Sequence, residues 1–86
     1  MSAPLPVRVK VTPNWDEVHF ELPAETPIAE LKRRALELSS VYDDPGEYLV
    51  KYRGAQLFDE AKSLAQVGVV RNAPLIVLNR RRQPVR

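Results

Sequence analysis

The 86-residue sequence contains no cysteine and a single histidine, His19. Disulfide bonds are therefore excluded, and one histidine gives too few ligands for a structural zinc site. His19 has no nucleophile beside it, so we expect it to fill a cross-strand pair and predict no catalytic residue. The three glycines stand alone at 46, 54 and 68, which excludes a glycine-rich phosphate-binding loop. We predict neither a cofactor nor a metal.

Long apolar runs are also absent. No segment approaches the roughly 20 apolar residues of a membrane span. Prolines at 4 and 6 interrupt the start of the chain, where a signal sequence would need an apolar stretch. We therefore expect a cytoplasmic protein without membrane insertion.

The composition is that of one folded domain, with 44% hydrophobic and 28% charged residues. We predict a single domain over residues 1–86, with an ordered core at about 6–80 and flexible tails at 1–5 and 81–86. Four of the 13 basic residues lie at 80–86, which leaves nine against 11 acidic residues in the rest of the chain. A folded domain that bound nucleic acid would need a basic face. We therefore assign any weak nucleic-acid binding to the arginine-rich tail.

Hydrophobic periodicity predicts the secondary structure. Segments 7–12 and 18–22 alternate apolar and polar residues, and turn-forming residues at 13–16 join them into a hairpin. The other predicted elements are strands at 48–52, 57–58 and 75–78, a turn at 43–46, and one short helical turn at 63–69 that ends at a glycine.

One main helix is predicted to follow the hairpin. The Thr26 hydroxyl can cap it, and Pro27 suits the first helical position. Its apolar stripe is formed by Ile28, Leu31, Ala35 and Leu38. The basic run at 32–34 is assigned to the solvent-exposed side, where glutamates at helical spacing can pair with it. A crossover through this helix would place the last strand parallel to the first, which gives an α+β fold.

The segment YRGAQL at 52–57 resembles the aromatic-x-Gly-x-x-Leu turn that follows the third strand in the ubiquitin-like β-grasp family. Segments 26–32, 63–69 and 75–78 resemble, in order and spacing, the family's helix start, late short helix and closing strand. The resemblance extends over residues 7–82. It implies a mixed sheet of four to five strands, one main helix and a short late helical turn.

The resemblance implies two kinds of function. Ubiquitin and the sulfur carriers of this fold act through a C-terminal diglycine, which an activating enzyme adenylates. This sequence ends in RQPVR without a diglycine, so we expect a protein that is not conjugated. It then resembles the small bacterial branch that also lacks diglycine, such as YukD-like proteins of type VII secretion and ubiquitin-like subunits of multicomponent monooxygenases. A modifier or sulfur carrier is the alternative function.

The family's other activity is recognition through the outer face of the sheet. In that arrangement Ile76 and Leu78 lie between basic residues of the first and third strands, and Trp15 stands in the first turn. We predict a monomeric, non-catalytic interaction module whose apolar strip, with basic flanks, binds an acidic segment of a protein partner. The candidate binding residues are Arg8, Lys10, Trp15, Leu49, Lys51, Arg53, Ile76, Leu78 and Arg80.

Overall fold

The structure is a computed structural model that describes residues 4–12 and 15–79. Its elements are β1 (Leu5–Val11), β2 (Asp16–Leu22), α1 (Ile28–Leu38), a 3₁₀ helix (Pro45–Glu47), β3 (Tyr48–Tyr52), β4 (Ala55–Gln56) and β5 (Ala73–Asn79). Arg80 and the predicted tail at 81–86 lie outside the described residues, as do residues 1–3, 13 and 14.

The five strands form one mixed sheet in the order β2–β1–β5–β3–β4. β1 pairs antiparallel with β2 and parallel with β5, as expected when α1 makes the crossover between the two halves of the chain. β3 pairs antiparallel with β5 and with the short β4. The predicted α+β fold, with one main helix and a mixed sheet, is confirmed.

The core lies between α1 and the inner face of the sheet. Strand residues alternate between the two faces, so every second side chain of β1 and β5 is buried. From these strands Val7, Val9, Val11, Leu75 and Val77 are each at most 1% exposed. Each such side chain contributes roughly 2 kcal/mol of burial free energy. The side chains that alternate with them, such as Lys10 and Ile76, therefore lie on the face of the sheet opposite α1.

The start of α1 differs from the prediction. The N-cap is Pro27, not Thr26, and no side chain of residues 4–12 or 15–79 caps the helix. The first N–H groups instead donate to carbonyl oxygens of the loop after β4: Ile28 to Lys62 and Ala29 to Glu60, each at 2.9 Å. These N–H groups have no acceptor within the helix, and proline offers no side-chain acceptor, so carbonyl oxygens of the loop accept their hydrogen bonds instead.

The buried stripe of α1 also differs from the prediction. Leu38 is 52% exposed, whereas Leu36 is 2% exposed. Lys32, assigned to the solvent-exposed side, is 5% exposed. Its Nζ lies 2.7 Å from Glu60 Oε1 and donates a 3.0 Å hydrogen bond to the Tyr48 carbonyl oxygen. A buried ammonium group requires such partners, so Lys32 joins α1 to the loop and to β3.

Arg33 stays on the exposed side of α1, as predicted. Its Nε donates a 3.0 Å hydrogen bond to Glu30 Oε1, and its Nη1 lies 3.7 Å from Glu37 Oε2. The hydrogen bond from Arg33 lowers the pKa of Glu30, and the same bond raises the pKa of Arg33. Because these groups are exposed to solvent, which screens their charges, we expect the contacts to add little to the stability of the helix.

The elements after β3 partly match the prediction. A strand predicted at 57–58 is wrong: β4 is Ala55–Gln56, and Phe58 is 81% exposed. The helical turn predicted at 63–69 is present as a turn at 64–68, with a 3.2 Å bond from the Val67 N–H to the Ser63 carbonyl. Gly68 ends it at φ 82°, a conformation that glycine adopts without strain.

The end of α1 forms a Schellman motif. The Val41 N–H donates to the Leu36 carbonyl at 2.9 Å, and the Ser40 N–H donates to the Glu37 carbonyl at 3.1 Å. Ser40 has φ 59°, the left-handed conformation that this motif requires. Glycine normally fills this position, because any Cβ is strained there.

Replacing Ser40 by glycine is therefore expected to raise the free energy of unfolding by about 0.5–1 kcal/mol. Urea denaturation followed by circular dichroism would measure the change. Ser40→Ala is the matched control, since it removes the hydroxyl but keeps the strained Cβ. If alanine stabilised the protein as much as glycine, the backbone conformation would not be the cause.

Candidate interaction surface

A row of five residues crosses the outer face of the sheet. Ile76 of β5 pairs with Lys10 of β1 on one side and with Lys51 of β3 on the other. Glu17 of β2, opposite Lys10, and Gln56 of β4, opposite Lys51, complete the row. Because neighbouring strands are about 4.8 Å apart, the backbones of the two lysines are roughly 10 Å apart. Ile76 is thus an apolar position between two cations.

The predicted apolar strip continues at Leu78, but it is narrower than expected. Leu78 pairs with Leu49 across β5 and β3. Ile76 and Leu78 are half-buried, whereas Leu49 is 4% exposed. Leu49 therefore offers little surface to a partner, and the accessible strip consists of Ile76 and Leu78.

The basic side chains around this strip differ in how they are engaged. Neither Lys10 nor Lys51 forms an ion pair or hydrogen bond within residues 4–12 and 15–79. The Arg8 Nε donates a 3.1 Å hydrogen bond to the Asn72 carbonyl oxygen, and the Arg8 Nη1 lies 3.8 Å from Glu17 Oε2. The Arg53 guanidinium lies over the Tyr52 ring, 5.4 Å from its centroid. Of these four side chains, Lys10 and Lys51, which flank Ile76, are therefore the two whose charges are available to a ligand.

Trp15 lies at one end of this surface. It is 57% exposed and has φ 61°, a conformation that a bulky residue rarely adopts. The hairpin turn and the end of β5 occupy the same end of the sheet, since the Asn79 N–H donates to Thr12 Oγ1 at 3.1 Å. Trp15 and Leu78 therefore share that end. Arg80, the ninth predicted binding residue, is outside the described part of the chain.

His19 lies on the outer face, opposite Arg8 in the hairpin. Its Nε2 is 3.6 Å from Oε1 of Glu17, which lies two positions earlier in the same strand, so this contact is not the cross-strand pair that was predicted. Among the described residues, no three His, Asp or Glu side chains are placed to hold a metal ion. No helix in that part of the chain has the length and apolarity needed to cross a bilayer.

The strand order and crossover recur in proteins of known structure. Caldiarchaeum subterraneum ubiquitin superposes with a TM-score of 0.77 at 12% identity, over 96% of this chain and 98% of that one. The fold is ubiquitin-like. A ubiquitin-like domain of an Arabidopsis thaliana protein has a TM-score of 0.75 at 17% identity, over 95% of this chain and 85% of the other. The N-terminal ubiquitin-like domain of the 4931431F19Rik protein superposes with a TM-score of 0.75 at 19% identity. The match covers 100% of this chain and 84% of that one.

No protein-family model and no curated protein matches the sequence. At such identities the structural likeness establishes the ubiquitin-like fold alone. Any function must therefore be argued from this chain's own side chains.

Sequence reasoning missed several exposed apolar residues. Tyr42 is 84% exposed and Phe58 is 81% exposed, and neither belongs to the predicted surface. A signal was available for Phe58, because it follows Leu57, the last residue of the turn motif at 52–57. Leu57 packs against the core, so its successor points away from it.

Proposed function

We propose that this ubiquitin-like domain is a non-catalytic protein-interaction module that binds its partner through the outer face of the sheet. The observation that carries the proposal is the placement of Ile76 between Lys10 and Lys51 in the sheet. Neither lysine side chain forms an ion pair or hydrogen bond within the described residues. An apolar anchor with a free cation on each side suits an acidic segment that contributes one hydrophobic side chain.

The wider setting belongs to the same proposal. We propose that this domain acts in the cytoplasm as a monomer of the bacterial type and binds its partner without being conjugated to it. Its partner would be a component of a secretion system or of a multicomponent enzyme. Leu78 and Trp15 would extend the contact from Ile76 toward the hairpin turn.

Charge reversal at the two lysines tests the proposal. Lys10→Glu combined with Lys51→Glu is expected to weaken binding of the natural partner by about 30-fold, because each carboxylate would repel an acidic segment. The binding partner would first be isolated by pulldown with products of neighbouring genes, and affinity would then be measured by calorimetry.

The matched control is Lys62→Glu combined with Arg71→Glu, which makes the same change in net charge at two exposed residues outside the sheet face. This control should bind within about twofold of the wild type, since long-range charge effects are screened at physiological salt. NMR shifts on partner addition that fall on α1 and spare Lys51, Ile76 and Leu78 would show that the outer face is not the binding surface.

A further inference from the structure

A polar hollow lies on the sheet beside the first residues of β1, away from the apolar strip. It has a volume of about 220 Å³. One water molecule takes up roughly 30 Å³ in the liquid, so the hollow has room for a group of several heavy atoms. The polar and proline side chains that line it are Pro6 and Arg8 of β1, His19 and Glu21 of β2, and Asn72 of the turn before β5.

The backbone of Asn72 fixes one wall of the hollow. Its N–H donates to the Pro6 carbonyl oxygen at 2.7 Å, and its carbonyl accepts the 3.1 Å hydrogen bond from Arg8 Nε. Asn72 has φ 60°, a left-handed conformation that asparagine tolerates better than most residues. Its side-chain amide forms no hydrogen bond within residues 4–12 and 15–79. This wall is therefore already in place and offers a free carboxamide.

Arg8 brings a positive charge to the hollow, with hydrogen-bond donors to spare. Its Nε is used by Asn72, and its Nη1 lies 3.8 Å from Glu17 Oε2. A guanidinium carries five N–H groups, and those on Nη2 have no partner in the part of the chain that the structure describes. An acceptor oxygen of a ligand could bind Arg8 without breaking either existing contact.

Glu21 brings a negative charge that is not paired. Arg8 is opposite His19 in the hairpin, so Glu17 and Glu21 are both its diagonal neighbours. Arg8 is within ion-pair distance of Glu17 alone, and no cation among the described residues pairs with the exposed Glu21. Diagonal neighbours are roughly 7–8 Å apart, which leaves space between Arg8 and Glu21 for a ligand that contacts both.

We propose that this hollow binds an α-ammonium group together with the carbonyl or carboxylate oxygen next to it. The N-terminal residue of a peptide and a free amino acid both carry this pair of groups. The ammonium would donate to the Glu21 carboxylate and to the side-chain oxygen of Asn72, and the neighbouring oxygen would accept from Arg8. A lysine side chain is a poor occupant, because no oxygen lies beside its ammonium and Arg8 would only repel it.

Three small ligands test the proposal. Alanyl-alanine amide has the ammonium and the adjacent carbonyl, its N-acetylated form lacks the ammonium, and acetyl-lysine amide has an ammonium with no oxygen beside it. They would be titrated into the isotope-labelled full chain at about pH 7, where an α-ammonium group is mostly protonated. Alanyl-alanine amide should shift the amide signals of Arg8, Glu21 and Asn72, and should bind at least about fivefold more tightly than the other two.

Free alanine separates the two sources of this chemistry. Its carboxylate makes a charge-assisted hydrogen bond with a guanidinium, whereas the carbonyl of a peptide is neutral. Tighter binding of alanine than of alanyl-alanine amide would identify a free amino acid as the ligand. The reverse order would identify the N-terminus of a peptide, and either order supports the site.

Variants of the protein make the test specific. Glu21→Gln removes the charge with little change in shape, so it should weaken binding of alanyl-alanine amide about fivefold and abolish the preference over the acetylated form. Glu37→Gln makes the same change on the exposed side of α1 and should leave the affinity within about twofold. Asn72→Gly keeps the left-handed backbone without strain and removes the carboxamide, so it should weaken binding about threefold.

Three results would overturn the proposal: equal binding of the free and acetylated dipeptide amides, equal binding of acetyl-lysine amide, or shifts centred on Lys51 and Ile76 instead of the hollow. The test of the outer-face partner is independent, because Lys10→Glu and Lys51→Glu change none of the residues that line the hollow. Failure of one site can therefore be told apart from failure of the other.

Discussion

Replacing Glu60 by alanine is expected to lower the free energy of unfolding by about 3 kcal/mol, in the range measured when one partner of a buried ion pair is removed. The cost arises from Lys32, whose side chain is 6% exposed and whose Nζ lies 2.7 Å from Glu60 Oε1. Without that carboxylate, the Tyr48 carbonyl is the one acceptor that the described residues offer to the ammonium. Urea denaturation at neutral pH would measure the loss.

A double-mutant cycle separates the ion pair from other effects. Lys32→Met should cost less than Glu60→Ala, about 2 kcal/mol, because the Glu60 side chain it leaves behind is 24% exposed and partly hydrated. Combining the two changes should cost less than the sum of the single changes, by roughly 1–2 kcal/mol. Strict additivity would mean that the pair contributes nothing to stability.

Glu37→Ala is the surface control, since Glu37 lies 3.7 Å from Arg33 with 60% of its side chain exposed. It should change stability by no more than about 0.5 kcal/mol. The Glu60 variant should also speed amide exchange at Ala29, because the N–H of that residue donates to the Glu60 carbonyl and depends on the position of the loop. Unchanged exchange there would indicate that the loop stays in place without the pair.

The strands of this protein could be predicted from the sequence because they follow a simple rule. Residues 7–12 alternate strictly, so their inward side chains and their register with residues 18–22 follow from a period of two. The position of Ile76 between Lys10 and Lys51 was implied by the resemblance to the ubiquitin-like family, which supplied the strand order, and the strand pairing places it there. Local patterns suffice when one face of a strand is buried along its whole length.

Lys32 could not be placed this way because its partner is distant. The apolar residues at 28, 31, 35 and 36 define a stripe with spacings of three and four, and position 32 falls within it. A lysine there, followed by two arginines, is typical of an exposed face. Only the fold brings Glu60, 28 positions later, against it. The hydrogen bond from Arg8 to the Asn72 carbonyl could not be predicted either, because these two residues are also far apart in the sequence.

Replacing Leu64 by alanine is the second change expected to have a large effect, a loss of about 3 kcal/mol in the free energy of unfolding. Leu64 is 0% exposed, although it lies in a turn and not in a strand or helix. Its N–H donates to the Thr26 carbonyl at 3.0 Å, so its backbone is held against the start of α1 and cannot readily move to fill the cavity. The cost should therefore include the lost burial and most of the cavity.

Val67→Ala is the matched control, because Val67 lies in the same turn but is only half-buried. Its loss should be about 1 kcal/mol, as expected for a smaller and more accessible side chain. Chemical denaturation of both variants, with equal denaturant slopes, would show that the comparison concerns the folded state. If the two variants lost similar amounts of unfolding free energy, the turn at 64–68 would have to relax around the missing leucine. The region after β4 would then be joined to the core more by its backbone hydrogen bonds with residues 24–29 than by the Leu64 side chain.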